Sequence, residues 1–214
     1  MTVVIVEAHR EPELATAKAL FREYSVAIAD VAACSLQYQR FEEELATLPG
    51  KYASPEGAIY MARETDPDGR SGEALGCVAL RPLPHLGERV CELKRMYVVS
   101  AGRGRGIGRL LAERVIEHAR RAGYRVMKLD TSTTMTAAIG LYRSLGFEPC
   151  AAYNEDPAAD TLWFELELGR RQYRKSHRGP RSVSILHNMY YRTFDRSRSE
   201  PGFCASTAKP RVDQ

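Results

Sequence analysis

Tryptophan occurs once in this chain of 214 residues, and cysteine and histidine five times each, and none of these scarce residues is arranged for chemistry. Cys34, Cys77, Cys91, Cys150 and Cys204 are odd in number and never spaced Cys-x-x-Cys, which leaves no case for a disulfide framework or a thiolate zinc site. Cys77 and Cys91 fall within strand-like apolar runs and read as small buried side chains in a reducing compartment. The histidines lack metal-ligand spacing: His85 sits in a turn and His118 on the flank of a helix that is expected to face solvent. No apolar run approaches the ~20 residues that cross a bilayer. The opening "MTVVIVEAHREPELA" is not ordered like a secretory leader. The expectation is therefore a metal-free protein of the cytoplasm, with no membrane role.

Most of the chain also lacks a positive surplus, although the formal net charge is +4. Residues 1–169 hold 20 Lys and Arg against 24 Asp and Glu, whereas residues 170–214 hold 11 against 3. The basic character belongs to the last segment, so nucleic-acid binding is not expected of the body. The body, 1–169, reads as one domain. The segment 170–214, rich in Arg, Ser and Pro, reads as a disordered tail.

What the body contains is alternating strand and helix patterning. Val3–His9 is a short β-branched run, followed by helical spacing at Leu14, Ala17, Phe21, Tyr24 and Ile28 and by a second helical stretch over Ser35–Leu48. Ala58–Glu64, Glu73–Leu83 and Glu88–Val99 read as three strands joined by turn-rich links, an antiparallel meander. A helix from about Arg105 to Gly123, a strand at "YRVMKLDT", a helix at "MTAAIGLYRSLGF" closed by Gly146, and a last strand "TLWFELEL" complete the order. The fold class is mixed α/β, with a mostly antiparallel sheet flanked by helices.

"GRGRGIGRLL" places a glycine-rich turn between a strand and a helix, where main-chain N–H groups converge at the positive end of a helix dipole and can hold phosphate. Two nucleotide motifs fail on inspection. A Walker loop needs Gly-Lys-Ser/Thr, but Gly108 is followed by Arg109 and Leu110; a dinucleotide fingerprint needs glycine where Arg109 stands. A ligand-free linker explains poorly why arginines interleave with the glycines.

The pattern Arg/Gln-x-x-Gly-x-Gly/Ala is filled by Arg103, Gly106 and Gly108, and "AAIGLYRSLGFEP" supplies a second, later signature. With both, residues 1–169 resemble the GNAT superfamily of N-acetyltransferases. The resemblance implies an acyl-CoA N-acyltransferase fold with an opening between the fourth and fifth strands that admits acetyl-CoA as acyl donor. Its pyrophosphate would lie on the loop of Arg103, Gly104, Arg105, Gly106, Ile107, Gly108 and Arg109. Main-chain groups of Met96, Tyr97 and Val98 would pair with the pantetheine arm. The implied partner is a small-molecule or peptide amine, and a homodimer stays open. The rival reading is a non-catalytic coenzyme A-binding module with a partner-binding tail.

Two residues are candidates for the chemistry. Tyr142 lies where the superfamily often has a tyrosine near the thioester sulfur, and a phenol can donate to a departing thiolate; it also belongs to the apolar stripe of its helix. Glu92 is the candidate base by resemblance, yet strand alternation sets it beside Lys94, so an ion pair is an equal reading. Arg81 interrupts an apolar strand and has two readings, an acceptor-site guanidinium for a substrate carboxylate and, preferred, an edge-facing arginine next to Pro82. The superfamily's usual asparagine is replaced by Met135, and Thr131, Ser132 or Thr133 could substitute for its cofactor contact.

Overall fold

A computed structural model describes residues 2–29, 36–37, 39–68, 71–156 and 158–169. The basic segment 170–214, Cys34 and Cys204 lie outside the described residues. Among the described residues, seven strands form one sheet: β1 (Thr2–Glu7), β2 (Ala58–Thr65), β3 (Ser71–Pro82), β4 (Val90–Val98), β5 (Val126–Ser132), β6 (Glu148–Pro149) and β7 (Thr161–Glu167). Their order is β1-β2-β3-β4-β5-β7-β6, and only the β4–β5 pair is parallel. The meander expected from the short links is β2–β3–β4. The two-residue β6 has no sequence signal of its own, since Glu148 and Pro149 are exposed and carry no alternation.

Among the described residues, helices α1 (Glu13–Ala27), α2 (Phe41–Ala46), α3 (Ile107–Arg121) and α4 (Thr136–Ser144) cover the sheet. α1 buries Ala17, Leu20 and Phe21, the i, i+3, i+4 stripe. α3 and α4 stop as their glycines direct, with Tyr124 N–H reaching back to Ala119 O at 3.0 Å and Phe147 N–H to Tyr142 O at 3.1 Å. The helix expected over Ser35–Leu48 is not continuous. Residues 30–35 and 38 are outside the described set, and Arg40 stands at φ 54° immediately before α2, a conformation no right-handed helix passes through.

Strand alternation divides the core between two faces. On one, Val78, Leu80, Leu93, Met127 and Phe164 pack under Leu111 and Val115 of α3 and Tyr142 of α4. On the other, Ile59, Met61, Cys77 and Ala79 pack under Phe21 of α1 and Phe41 and Leu45 of α2. The expectation for His118 is corrected: it is 9% exposed, its Nδ1 lies 2.8 Å from the Tyr60 hydroxyl and its Nε2 lies 3.0 Å from Pro55 O. It follows Leu111 by seven residues and Val115 by three, which puts it on the buried stripe.

Candidate active site

The glycine run sits between β4 and α3. Gly104 and Gly106 hold φ of +74° and +79°, where any side chain would be strained, and Gly106 is the residue that caps α3. Among the described residues, the main-chain N–H groups from Gly104 to Arg109 have no backbone partner. Three of them are the unpaired donors of the first turn of α3, where the helix dipole places partial positive charge. A Cβ built at Gly104 or Gly106 would meet nothing within 4 Å, so both glycines border open space. The arginines brace the loop. Arg103 donates to Val98 O at 3.2 Å, Arg105 pairs with Glu64 at 2.7 Å, and Arg109 donates to Ser144 Oγ at 2.6 Å. Ile107 is buried and offers the loop only its main chain.

Beside this loop the sheet opens. β4 and β5 pair only at Val90↔Val126, Cys91↔Met127 and Glu92↔Lys128, after which β4 continues along β3 and β5 along β7. The gap is lined by Leu93, Lys94, Arg95 and Met96 from β4, Asp130, Thr131 and Ser132 from β5, Met135 and Tyr142 around α4, and Tyr24 from α1. Val99 N–H bonds Leu75 O, toward β3. By alternation Met96 and Val98 turn their main-chain groups to the gap, whereas those of Tyr97 turn to β3 and its ring packs edge-on against Tyr24.

A buried polar network floors the gap on the α1 side of the sheet. Glu92 has no exposed surface, and it receives Arg81 at 2.5 Å, the Tyr153 hydroxyl at 2.8 Å and, more loosely, Lys94 at 3.5 Å. Lys94 crosses to Asp130 at 2.8 Å, and Asn154 donates to the same carboxylate at 2.8 Å while accepting from Trp163 at 2.8 Å. Burial alone would neutralise both partners. The Asp130 and Glu92 charges outweigh it at Lys94, and the Lys94 charge, with the bonds from Lys94 and Asn154, outweighs it at Asp130, so the ammonium and the carboxylate both persist. Ser132 bonds Asp160, and its Oγ also receives Thr134 N–H at 3.1 Å.

Tyr142 is 5% exposed, and its ring edge meets Phe147 with centroids 5.8 Å apart. Burial, then the hydroxyl of Tyr24 and the charge of Asp130, push its phenol above the ordinary range, so it stays protonated at neutral pH. Tyr24 and Tyr142 come from helices on opposite sheet faces and share one lining because the strands between them have parted.

The model of the acetyltransferase (GNAT) family matches residues 25–147, more than half of the chain, including the glycine run and the later signature through Phe147. The chain belongs to the GNAT acetyltransferase family. A GNAT relative, an uncharacterized N-acetyltransferase of Schizosaccharomyces pombe, is 36% identical over 135 residues, which are 63% of this chain and 78% of that one. An uncharacterized N-acetyltransferase of Dictyostelium discoideum is 29% identical, covering 78% of this chain and all of its own. The solved structure of yncA from Salmonella typhimurium, which carries its cofactor acetyl-CoA, shares the fold with a TM-score of 0.53 at 21% identity, over 80% of this chain and 97% of that one.

The GNAT chain is thus an acyltransferase of a family whose acyl donor is acetyl-CoA, and the residues present fit that donor. Main-chain N–H groups without a backbone partner suit a diphosphate, and the strand edge at Met96 and Val98, where Val98 O already accepts from Arg103, suits an extended amide-bearing arm. Among the described residues there is no group of His, Cys, Asp and Glu that could hold a metal ion. The structure places Glu92 behind the gap and not in its lining, with its oxygens held by Arg81, Tyr153 and Lys94; Arg81 is its ion-pair partner. Tyr142 is in the lining. Thr131, Ser132 and Met135 all reach it, while Thr133 does not. Sequence reasoning missed Tyr24, Asp130, Tyr153 and Asn154. The periodic signals that could have found the first two were read only as packing and strand faces.

Proposed function

We propose that the protein transfers the acetyl group of acetyl-CoA directly to an amine of a small molecule or peptide held on the α1 side of the gap. The observation that carries the reading is the parting of β4 from β5 after Glu92, which brings the edge of β4 at Met96 and the side chain of Tyr142 into one opening, with the glycine loop following β4. Acetyl-CoA supplies an activated thioester carbonyl. The amides of Gly104 to Arg109 hold its diphosphate, and the main chain of Met96 and Val98 orients the arm so that the carbonyl stands against the amine. As the C–N bond forms and the C–S bond breaks, Tyr142 donates a hydrogen bond to the sulfur; the proton that the thiolate finally takes is the one lost by the amine nitrogen.

Asp130 borders the gap as a carboxylate already held by Lys94 and Asn154, and with them it keeps this wall of the gap polar. Glu92 acts at one remove, fixing Lys94 and Arg81 in place. Thiol release from acetyl-CoA, measured across a panel of small amines and amine-bearing peptides, tests the reading. Acetylated product with at least one amine is expected, and tight donor binding without turnover on any amine would overturn it.

A further inference from the structure

Arg95 is one of two non-glycine residues at positive φ among the described residues, at 56°, and it stands on the wall of the gap. Its left-handed turn makes a bulge: Cys77 pairs with Tyr97 but Ala79 with Lys94, so Arg95 and Met96 together oppose Val78. Ahead of the bulge, Val90 O accepts from Leu83 N–H on the β3 side and Arg89 O from Val126 N–H on the β5 side. Even-numbered residues therefore face β3 there. Past the bulge the phase is reversed, as the Val99 N–H to Leu75 O bond shows, and Met96 and Val98 face the gap. Without the turn at Arg95 their main-chain groups would be spent on β3.

The side chain of Arg95 explains how the strained backbone is held. Its Nε and Nη2 bond the two oxygens of Glu44 on α2 at 2.7 and 3.0 Å, and both side chains are almost wholly buried. Its guanidinium carbon lies 5.0 Å from the ring centroid of Phe41 and 5.9 Å from that of Tyr24. Lys51 holds Glu44 from the other side at 2.5 Å. Cys77 Sγ donates to Arg95 O at 3.4 Å. Resting on the reading of the gap as the donor's channel, we infer that Arg95 is a positioning residue: clamped by Glu44, Tyr24 and Phe41, it forces the left-handed turn that aims Met96 and Val98 at the acyl-bearing arm of acetyl-CoA.

The test sets Arg95→Ala against Arg95→Gly. Both remove the clamp, but glycine adopts positive φ without strain, whereas alanine resists it. Calorimetry with acetyl-CoA should show a loss of affinity of about twentyfold for Arg95→Ala and only about threefold for Arg95→Gly. Glu44→Gln should weaken binding about tenfold alone and less than twofold in the Arg95→Gly background. The nucleotide half of coenzyme A, 3′-phospho-ADP, touches the loop and not β4, and should bind all variants alike. Equal losses for Ala and Gly, or equal weakening of the nucleotide fragment, would overturn the inference. If Arg95→Ala does not fold, Glu44→Gln with and without Arg95→Gly decides alone. Failure of the wild-type protein to bind acetyl-CoA would instead strike the reading of the gap itself.

Discussion

Replacing Glu44 by glutamine keeps the shape of the side chain and withdraws its charge from Arg95. Burial by itself would raise the Glu44 pKa, but the hydrogen bonds and charge of Arg95, then Lys51, outweigh it and hold the carboxyl at about 2, against an ordinary 4.5. One pKa unit corresponds to about 1.4 kcal/mol, so ionised Glu44 contributes on the order of 3 kcal/mol to stability. The folded pKa is the depressed one. The contribution is therefore complete above the unfolded pKa, near pH 5 and higher, and drains away as pH falls toward about 2. Glu44→Gln should cost about 3 kcal/mol at pH 7, in the range found when one partner of a buried ion pair is removed. The wild-type advantage should shrink steadily below about pH 4.5, because a protonated Glu44 and the neutral amide of the variant leave Arg95 equally unpaired. Urea unfolding of both proteins at intervals from about pH 3 to 7 measures the difference, and other carboxylates such as Asp130 titrate alike in the two and cancel. A difference that is flat with pH, or under about 1 kcal/mol at pH 7, would refute the reasoning.

Tyr142→Phe should lower kcat by about a hundredfold while leaving acetyl-CoA affinity within a factor of two, as read by thiol release and calorimetry; full rate would remove the hydroxyl from the mechanism. Gly106→Val should weaken acetyl-CoA binding at least tenfold and lower the unfolding midpoint, since a β-branched residue at φ +79° costs about 1–2 kcal/mol or more and disturbs the turn that presents the amides. Tyr153→Phe should destabilise by about 1–2 kcal/mol through the lost bond to Glu92, with Arg81 and Lys94 still in place to hold that carboxylate.

The parts of the site visible in the sequence are those whose requirements are local. Gly104, Gly106 and the start of α3 announce a row of free amides because only a glycine-rich turn feeding a helix produces one, and the stripe of Tyr142 on α4 follows from period 3.6. Glu92 shows the limit. Alternation set it correctly beside Lys94 but could not say what lies over that strand face, and the covering groups, Tyr153 and Asn154, come from a loop some 60 residues later in the chain. Whether a strand glutamate serves as base or as scaffold depends on that cover, which no spacing rule encodes.

Arg95 is the more instructive omission, because a signal was present. In "CELKRMYV" strict alternation would send Lys94 to one face and Arg95 to the other, among Cys91, Leu93 and the apolar underside of α3. An unpaired guanidinium there would be far too costly to bury. Lys94 and Arg95 both reach acidic partners on the α1 side, Asp130 and Glu44, because the strand changes phase between them. Two adjacent cations in a buried strand are the sequence signal for a bulge at this point, and a bulge in the strand that borders the gap shifts which main-chain groups its edge presents. The charge that looked like an interruption of the strand is what re-aims the strand at its ligand.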